Sequence, residues 1–367
     1  MHNKIKIYIF HPYSFIGGAD TSISRLINNL NKDIYEIDFI TLGKANLKLN
    51  EKVKKRIKII KINSNRTILS IFKIINYLND DKIKKYKKNI FFSNQNFANI
   101  ISFFILYKLN WIKQILIERN HLDEFKFNRS YKNYFIKLLI KFLYKKADKV
   151  IGISKRLSND LANFANCKVQ TIYNPAYDKE IYSLSKAKIF FERKKKIILN
   201  IGRLESQKDH ITLLKAFKES LKKIDSLLVI IGYGSEKDKI LNFIKINNLN
   251  KNVIILDKIT NPYPYLKKSD LFILTSLYEG FGNVLTEAIM FKIPTISTDC
   301  NSGPKEILLD GKGGDLVEIG DYKNLSKKII TNLKKKNNKK IKLAYQQLKR
   351  FSIKKIVDQY DDIFKTI

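Results

Sequence analysis

Runs of β-branched and aromatic residues alternate with amphipathic helical patterns along this chain, and the alternation occurs twice over. The first series starts at residues 4–10 (KIKIYIF), where apolar and polar side chains alternate, and continues through residues 36–40, 57–62, 89–92, 114–117 and 148–153. The second opens at Lys195 with KKIILNIG and continues through residues 227–231, 253–256, 271–274 and 294–297. Helical patterns separate the runs, for example over residues 21–30, 211–222 and 282–291. Strands alternating with helices form parallel sheets, because parallel neighbours need a long crossover and cannot share a tight turn. At roughly 150 residues per domain, a chain of 367 residues accommodates two such units. The polar stretch 177–196, just after Asn174-Pro175, is the expected join. The reading is α/β: Rossmann-like domains over residues 1–180 and 181–345, then a helical segment, 346–367.

Charge bears on the partners. Seventy Lys and Arg against 34 Asp and Glu leave a formal +36, which first suggests nucleic acid. Only nine of the basic residues are Arg, the side chain suited to bidentate phosphate and base contacts. The excess is also spread, +21 over residues 1–186 and +15 over the remainder, so it reads as compositional drift and not as a binding stripe. No nucleic-acid partner is expected. Two cysteines, Cys167 and Cys300, exclude a disulfide scaffold or a Cys-built zinc site and fit a reducing cytosol. The first ten residues read as a strand and not as a secretory leader. The most apolar stretch, 100–117, is broken by Lys108, Asn110 and Lys113, whereas a spanning helix needs about 20 apolar residues. The expectation is a cytoplasmic protein with peripheral attachment to the inner face of the membrane left open.

Ligands of open α/β sheets bind beyond the carboxyl ends of the strands, and two facing units would form a cleft there. Three constellations sit at such places. Phe15-Ile16-Gly17-Gly18-Ala19-Asp20 follows the first strand and leads into a helix; paired glycines admit a close backbone approach, and helix-opening amides favour an anion. It is not GxGxxG, so no dinucleotide fingerprint is present. Gly202-Arg203-Leu204-Glu205-Ser206-Gln207-Lys208 places two cations, expected to be exposed, ahead of a helix. Both could reach a diphosphate, Arg203 as a fork and Lys208 as a point charge. Glu279-Gly280-Phe281-Gly282-Asn283-Val284-Leu285-Thr286-Glu287 spaces two carboxylates eight residues apart across a helix start, a pattern suited to sugar and ribose hydroxyls. Each has a plainer reading as a turn, a charged helix start or a capped helix.

Taken in this order, the three constellations resemble glycosyltransferase family 4, retaining enzymes of the two-domain GT-B fold. Ile151-Gly152-Ile153-Ser154, Tyr173-Asn174-Pro175, Gly232-Tyr233-Gly234, Ser302-Gly303-Pro304-Lys305-Glu306-Ile307 and Arg350-Phe351-Ser352 extend the likeness over nearly the whole length. One departure is Asp20, where the family commonly has Glu. The resemblance implies a GT-B fold whose domains face each other across a cleft, with the acceptor on the first, a nucleotide-sugar on the second, and the helix in 346–367 returning to the first. Arg203 and Lys208 would neutralise the donor diphosphate, with Gly17 and Gly18 closing over it. Glu287 would hold the ribose, and Asp257-Lys258 would lie against the base. Glu279, Gly280, Phe281, Gly282, Asn283 and Val284 would read the donor sugar. The polar residue facing the reacting carbon would be His121 or, second, Asn120, with His11 a further candidate. No metal cofactor is implied, and the Asp80-Asp81 and Asp361-Asp362 pairs read as surface charges.

The expected activity is transfer of a hexosyl or N-acetylhexosaminyl group, from a UDP-sugar by preference, to lipopolysaccharide, capsule or a lipid-linked oligosaccharide. The UDP preference rests on Asp299-Cys300-Asn301-Ser302-Gly303-Pro304, which resembles members that build surface glycans. GDP-mannose is the rival donor, and a non-catalytic basic membrane- or nucleic-acid-binding protein is the rival class. Finally, Tyr131, Phe135, Leu138, Leu139 and Phe142 recur at helical spacing among Lys132, Lys137, Lys141, Lys145 and Lys146. That stripe reads either as the face packed against the sheet or as a basic amphipathic helix on an anionic membrane.

Overall fold

The computed structural model describes residues 2–13, 17–64, 68–80, 86–189, 195–257 and 259–367. The chain divides into two units, one of Met1–Pro175 with Ile353–Ile367 and one of Ala176–Ser352. Seven strands build the first unit: β1 (His2–Phe10), β2 (Tyr35–Thr41), β3 (Lys58–Lys61), β4 (Tyr86–Asn94), β5 (Ile112–Glu118), β6 (Lys149–Gly152) and β7 (Val169–Thr171). Six build the second: β8 (Lys196–Ile201), β9 (Ser226–Ile231), β10 (Val253–Leu256), β11 (Leu271–Leu274), β12 (Thr295–Thr298) and β13 (Asp315–Val317). The sheet orders are β3-β2-β1-β4-β5-β6-β7 and β10-β9-β8-β11-β12-β13, with parallel pairing in both. Edge strands β7 and β13 go beyond the sequence reading. Each has three residues and no apolar run, so local pattern carries no signal for them.

Parallel strands covered on both faces read as continuous apolar runs, and β1 shows why. Tyr8 and Phe10 enter a buried cluster with Phe91, Ile74 and Ile101, under the helices Ile71–Leu78 and Asn96–Leu106. The opposite face of β4 offers Phe92 to Tyr360 and Phe364, ring centroids 5.7 Å away in each case. Those two rings belong to the terminal helix Ile353–Thr366, whose buried residues Ile356, Val357, Tyr360, Ile363 and Phe364 follow the 3.6-residue period. Tyr35 on β2 fixes the helix further, donating to Asp361 Oδ1 at 2.7 Å. The apolar stretch 100–117 resolves into the end of one helix and β5. Among the described residues no helix is long and apolar enough to cross a membrane.

In each sheet the chain reverses its direction of winding once, between β1 and β4 and between β8 and β11. Segments leaving neighbouring strands diverge at such a reversal and open a crevice at their carboxyl ends. The three constellations follow β1, β8 and β11.

Candidate active site

In the second unit, the segments leaving β8 and β11 are bonded to each other before any ligand is considered. Leu277 N donates to Gln207 O at 2.8 Å, Gln207 Nε2 to Tyr278 O at 2.8 Å, and Thr275 Oγ1 to Lys208 O at 2.8 Å. Gly232, after β9, completes the floor: a Cβ there would meet Gly202 O at 1.9 Å, so only glycine lets these two backbones approach. The short turn Ser206–Lys208 then passes into the helix His210–Leu221 through Asp209, which has φ +44° and accepts from Thr212 N at 3.2 Å. The scaffold thus fixes the backbone from which both cations project.

The two cations differ in state. Arg203 is exposed and donates only to the neutral Gln207 Oε1, at 3.3 Å, with no carboxylate partner among the described residues. Lys208 is largely covered, its side chain 14% exposed, and its Nζ is paired with Glu279 Oε1. This corrects the expectation that both stand exposed: the carboxylate after β11 draws the ammonium inward. Ser276 Oγ also donates to Glu279 Oε1, at 2.7 Å, so the acid is held on two sides. Next to Lys208, burial pulls His210 down to about 4, with the neighbouring ammonium adding to the effect, so its ring is neutral near pH 7.

Beyond Glu279 the backbone is shaped to present itself. Ser302 Oγ donates to Glu279 O and, at 3.4 Å, to Gly280 O. A Cβ on Gly303 would meet Phe281 O at 2.0 Å, which explains glycine at that contact. Phe281 is buried with its ring edge-on to Phe351, centroids 5.0 Å apart, so its side chain anchors the loop. Gly282, at φ +96°, turns the chain into the helix Asn283–Met290, whose first turn has no side-chain cap. Glu287 lies buried on that helix, with Tyr263 OH 3.5 Å from Oε1. Val284 is half-buried, and Asn283 is buried. Asp257 is paired with Lys237 at 3.0 Å; Lys258 lies outside the described residues.

In the first unit, Gly17 and Gly18 open the helix Gly18–Asn29, again without a side-chain cap. Phe15 and Ile16 lie outside the described residues. His11 is buried after β1, its Nε2 3.4 Å from Asp20 Oδ1. His121 follows β5 but is not a free imidazole. Nδ1 lies 3.2 Å from Asp123 N and 3.1 Å from Asp123 Oδ2, and Nε2 lies 2.9 Å from Asp160 Oδ2. Both ring nitrogens thus have partners, and the ring is buried. Asn120 is half-buried, and its amide donates to Glu124 Oε2 at 3.1 Å.

Between these two positions and the strand lies a residue that sequence reasoning passed over. Arg119 is buried, and its guanidinium donates to Asn94 Oδ1 at 2.9 and 3.0 Å and to Asn174 Oδ1 at 3.0 Å. It ties the end of β4 to the segment after β7. Those partners stand 25 and 55 residues away along the chain, a separation that no local pattern encodes. Ser276, three residues from Glu279, was passed over as well, and the bonds made by Ser302 and Gln207, both in motifs quoted above, span 23 and 71 residues. Among the described residues no group of three or more His, Cys, Asp and Glu side chains could hold a metal ion.

Comparison with known proteins places the chain. Residues 16–177 match the family model described as Glycosyltransferase Family 4, and residues 183–350 match Glycosyl transferases group 1. One similar protein is the N-acetylgalactosamine-N,N'-diacetylbacillosaminyl-diphospho-undecaprenol 4-alpha-N-acetylgalactosaminyltransferase of Campylobacter jejuni. It is 37% identical over 213 residues, which span 57% of this chain and little more than half, 56%, of that one. An uncharacterized glycosyltransferase of Methanocaldococcus jannaschii is 31% identical over 299 residues, 75% of this chain and 71% of the relative. Among solved structures, HepE of Anabaena in complex with UDP and glucose aligns with a TM-score of 0.79 at 15% identity, over 98% of this chain and 99% of that one.

Proposed function

The chain belongs to glycosyltransferase family 4 and has the GT-B fold, and on that premise we propose a retaining enzyme that moves a hexosyl or N-acetylhexosaminyl group from a UDP-sugar to a lipid-linked or surface glycan. One observation carries the reading: Lys208 is paired with Glu279 while Arg203 bonds the neighbouring Gln207, on the segments that leave β8 and β11. Without a ligand, Glu279 neutralises Lys208. A donor diphosphate brings more negative charge to the same ammonium and takes the place of Glu279, whose carboxylate then turns to the sugar hydroxyls. The C1–O bond to the diphosphate breaks as the acceptor oxygen bonds C1, and the acceptor proton leaves with the departing phosphate oxygen. Arg203, Lys208 and the amides opening the helix Asn283–Met290 stabilise that leaving group, the role a divalent ion fills elsewhere. The reading therefore has no metal cofactor.

Around that centre, Glu287 takes the ribose hydroxyls and the backbone at Asp257 faces the base. Gly280 to Val284 read the sugar. Gly17 and Gly18 are assigned to the phosphates, and His121 or, second, Asn120 to the reacting carbon. A UDP donor is supported by the UDP and glucose in the Anabaena complex, and a lipid-linked acceptor by the diphospho-undecaprenol in the name of the Campylobacter relative.

Two measurements test this. Melting curves with UDP-, GDP- and ADP-sugars should show the largest rise with a UDP-sugar, about 2.7 kcal/mol at a hundredfold excess over Kd; a larger rise with GDP-mannose would reassign the donor. NMR of the product should show an axial anomeric linkage made from an α-linked donor, and an inverted linkage would overturn the retaining mechanism.

A further inference from the structure

The helix Tyr131–Leu143 has two apolar stripes, and the structure buries only one. Ile136 and Ile140 face the protein, while Tyr131, Tyr134, Phe135, Leu138 and Phe142 face outward, Tyr131 being 98% and Tyr134 73% exposed. The stripe that helical spacing picks out is thus not the packing face. It does not stand alone. The helix Asn96–Leu106 packs beside it, with Lys132 Nζ 5.2 Å above the Phe97 ring, and the helix Ile71–Leu78 packs beside that one in turn. Both neighbours add large outward side chains: Phe104 and, just past the helix end, Tyr107 at 80% exposed, then Phe72 at 76%. Among the described residues, every exposed Phe and Tyr lies in the first unit; the second exposes only Leu and Ile of this size. Scattered apolar side chains are ordinary, whereas a run of aromatics across three adjacent helices marks a contact surface.

Charge selects the partner. The three helices contain no Asp or Glu, and Lys73, Lys132 and Lys141 lie exposed among the aromatics, with Lys108, Lys145 and Lys146 just beyond the helix ends. The nearby Asp148 carboxylate is already held, by Lys113 Nζ and Gln114 N, each at 2.8 Å. We infer that this face docks on a bilayer surface carrying anionic headgroups, the aromatic rings entering the interface and the lysine ammoniums meeting the phosphates. Tyrosine suits that boundary, with an apolar ring and a wet hydroxyl, and lysine can bury its stem while keeping its charge at headgroup level. No spanning helix is required. The inference stands apart from the donor reading, since none of these residues serves the nucleotide-sugar site.

Sedimentation of the full chain with phosphatidylglycerol/phosphatidylcholine vesicles tests it. The protein should pellet with them at low salt, remain in solution with pure phosphatidylcholine, and be released as salt rises. The triple variant Tyr131→Ser/Tyr134→Ser/Phe135→Ser and the pair Lys132→Glu/Lys141→Glu should each lose at least about tenfold in partitioning. Their melting temperatures and UDP binding should match the parent, which separates failure here from failure of the donor assignment. Wild-type protein left in the supernatant with the anionic vesicles would overturn the inference. So would undiminished binding by the aromatic variant, or a stable dimer in solution that protects Tyr131 and Tyr134.

Discussion

Burial pushes the Glu118 carboxyl up to about 7, although Tyr144 OH, at 2.8 Å from Oε2, and two backbone N–H groups donate to it. Its ordinary value lies near 4.5, so between these limits the unfolded chain holds fewer protons than the native one, and stability falls as pH rises. Glu118→Gln removes that titration while keeping an acceptor for the N–H groups. The melting temperature of the variant relative to the parent should therefore increase steadily from pH 5 to pH 8. A difference independent of pH would show that the carboxyl titrates in its ordinary range. The sequence places Glu118 at a strand end. What it does not contain is the burial, or the Tyr144 hydroxyl that reaches it from 26 residues away.

Elements show where pattern suffices and where it stops. The β8 run KIILNI announces itself, since every residue from Ile197 to Asn200 is buried. The strands β7 and β13 do not, because a three-residue edge strand is held by its neighbour and not by its own composition. The helix Tyr131–Leu143 is legible as a helix but not in its orientation: Phe135 and Ile136 are equally apolar neighbours, and only the packing of the neighbouring helices decides which turns inward. At the site, the spacing from Arg203 to Lys208 and from Glu279 to Glu287 is visible in the sequence, whereas the Lys208–Glu279 pair closes a separation of 71 residues. The terminal helix Ile353–Thr366 is a clear case of tertiary support, because Phe364 packs on Phe92 and Tyr35. Phe364→Ala should cost about 3–5 kcal/mol in urea unfolding. A loss under about 1 kcal/mol would mean that the helix is not fixed to the β4 face.

At the scale of the molecule, each parallel sheet has one winding reversal, and the residues assigned to the site are distributed over both units. The second unit holds the paired cation, the exposed guanidinium and the uncapped helix start; the first holds the Arg119 strut, Asn120 and the aromatic face. Of the formal +36, Arg203 and Lys208 are the charges assigned to the donor phosphates, and the lysines of the three outer helices to a charged surface. The most direct test of the central claim is calorimetric titration of UDP into the wild-type protein and into Arg203→Ala and Lys208→Ala. Each variant should stay folded and bind about ten- to a hundredfold more weakly, the worth of one charge-assisted contact. Wild-type affinity in either folded variant would contradict the assignment of the β8/β11 crevice as the nucleotide-sugar site.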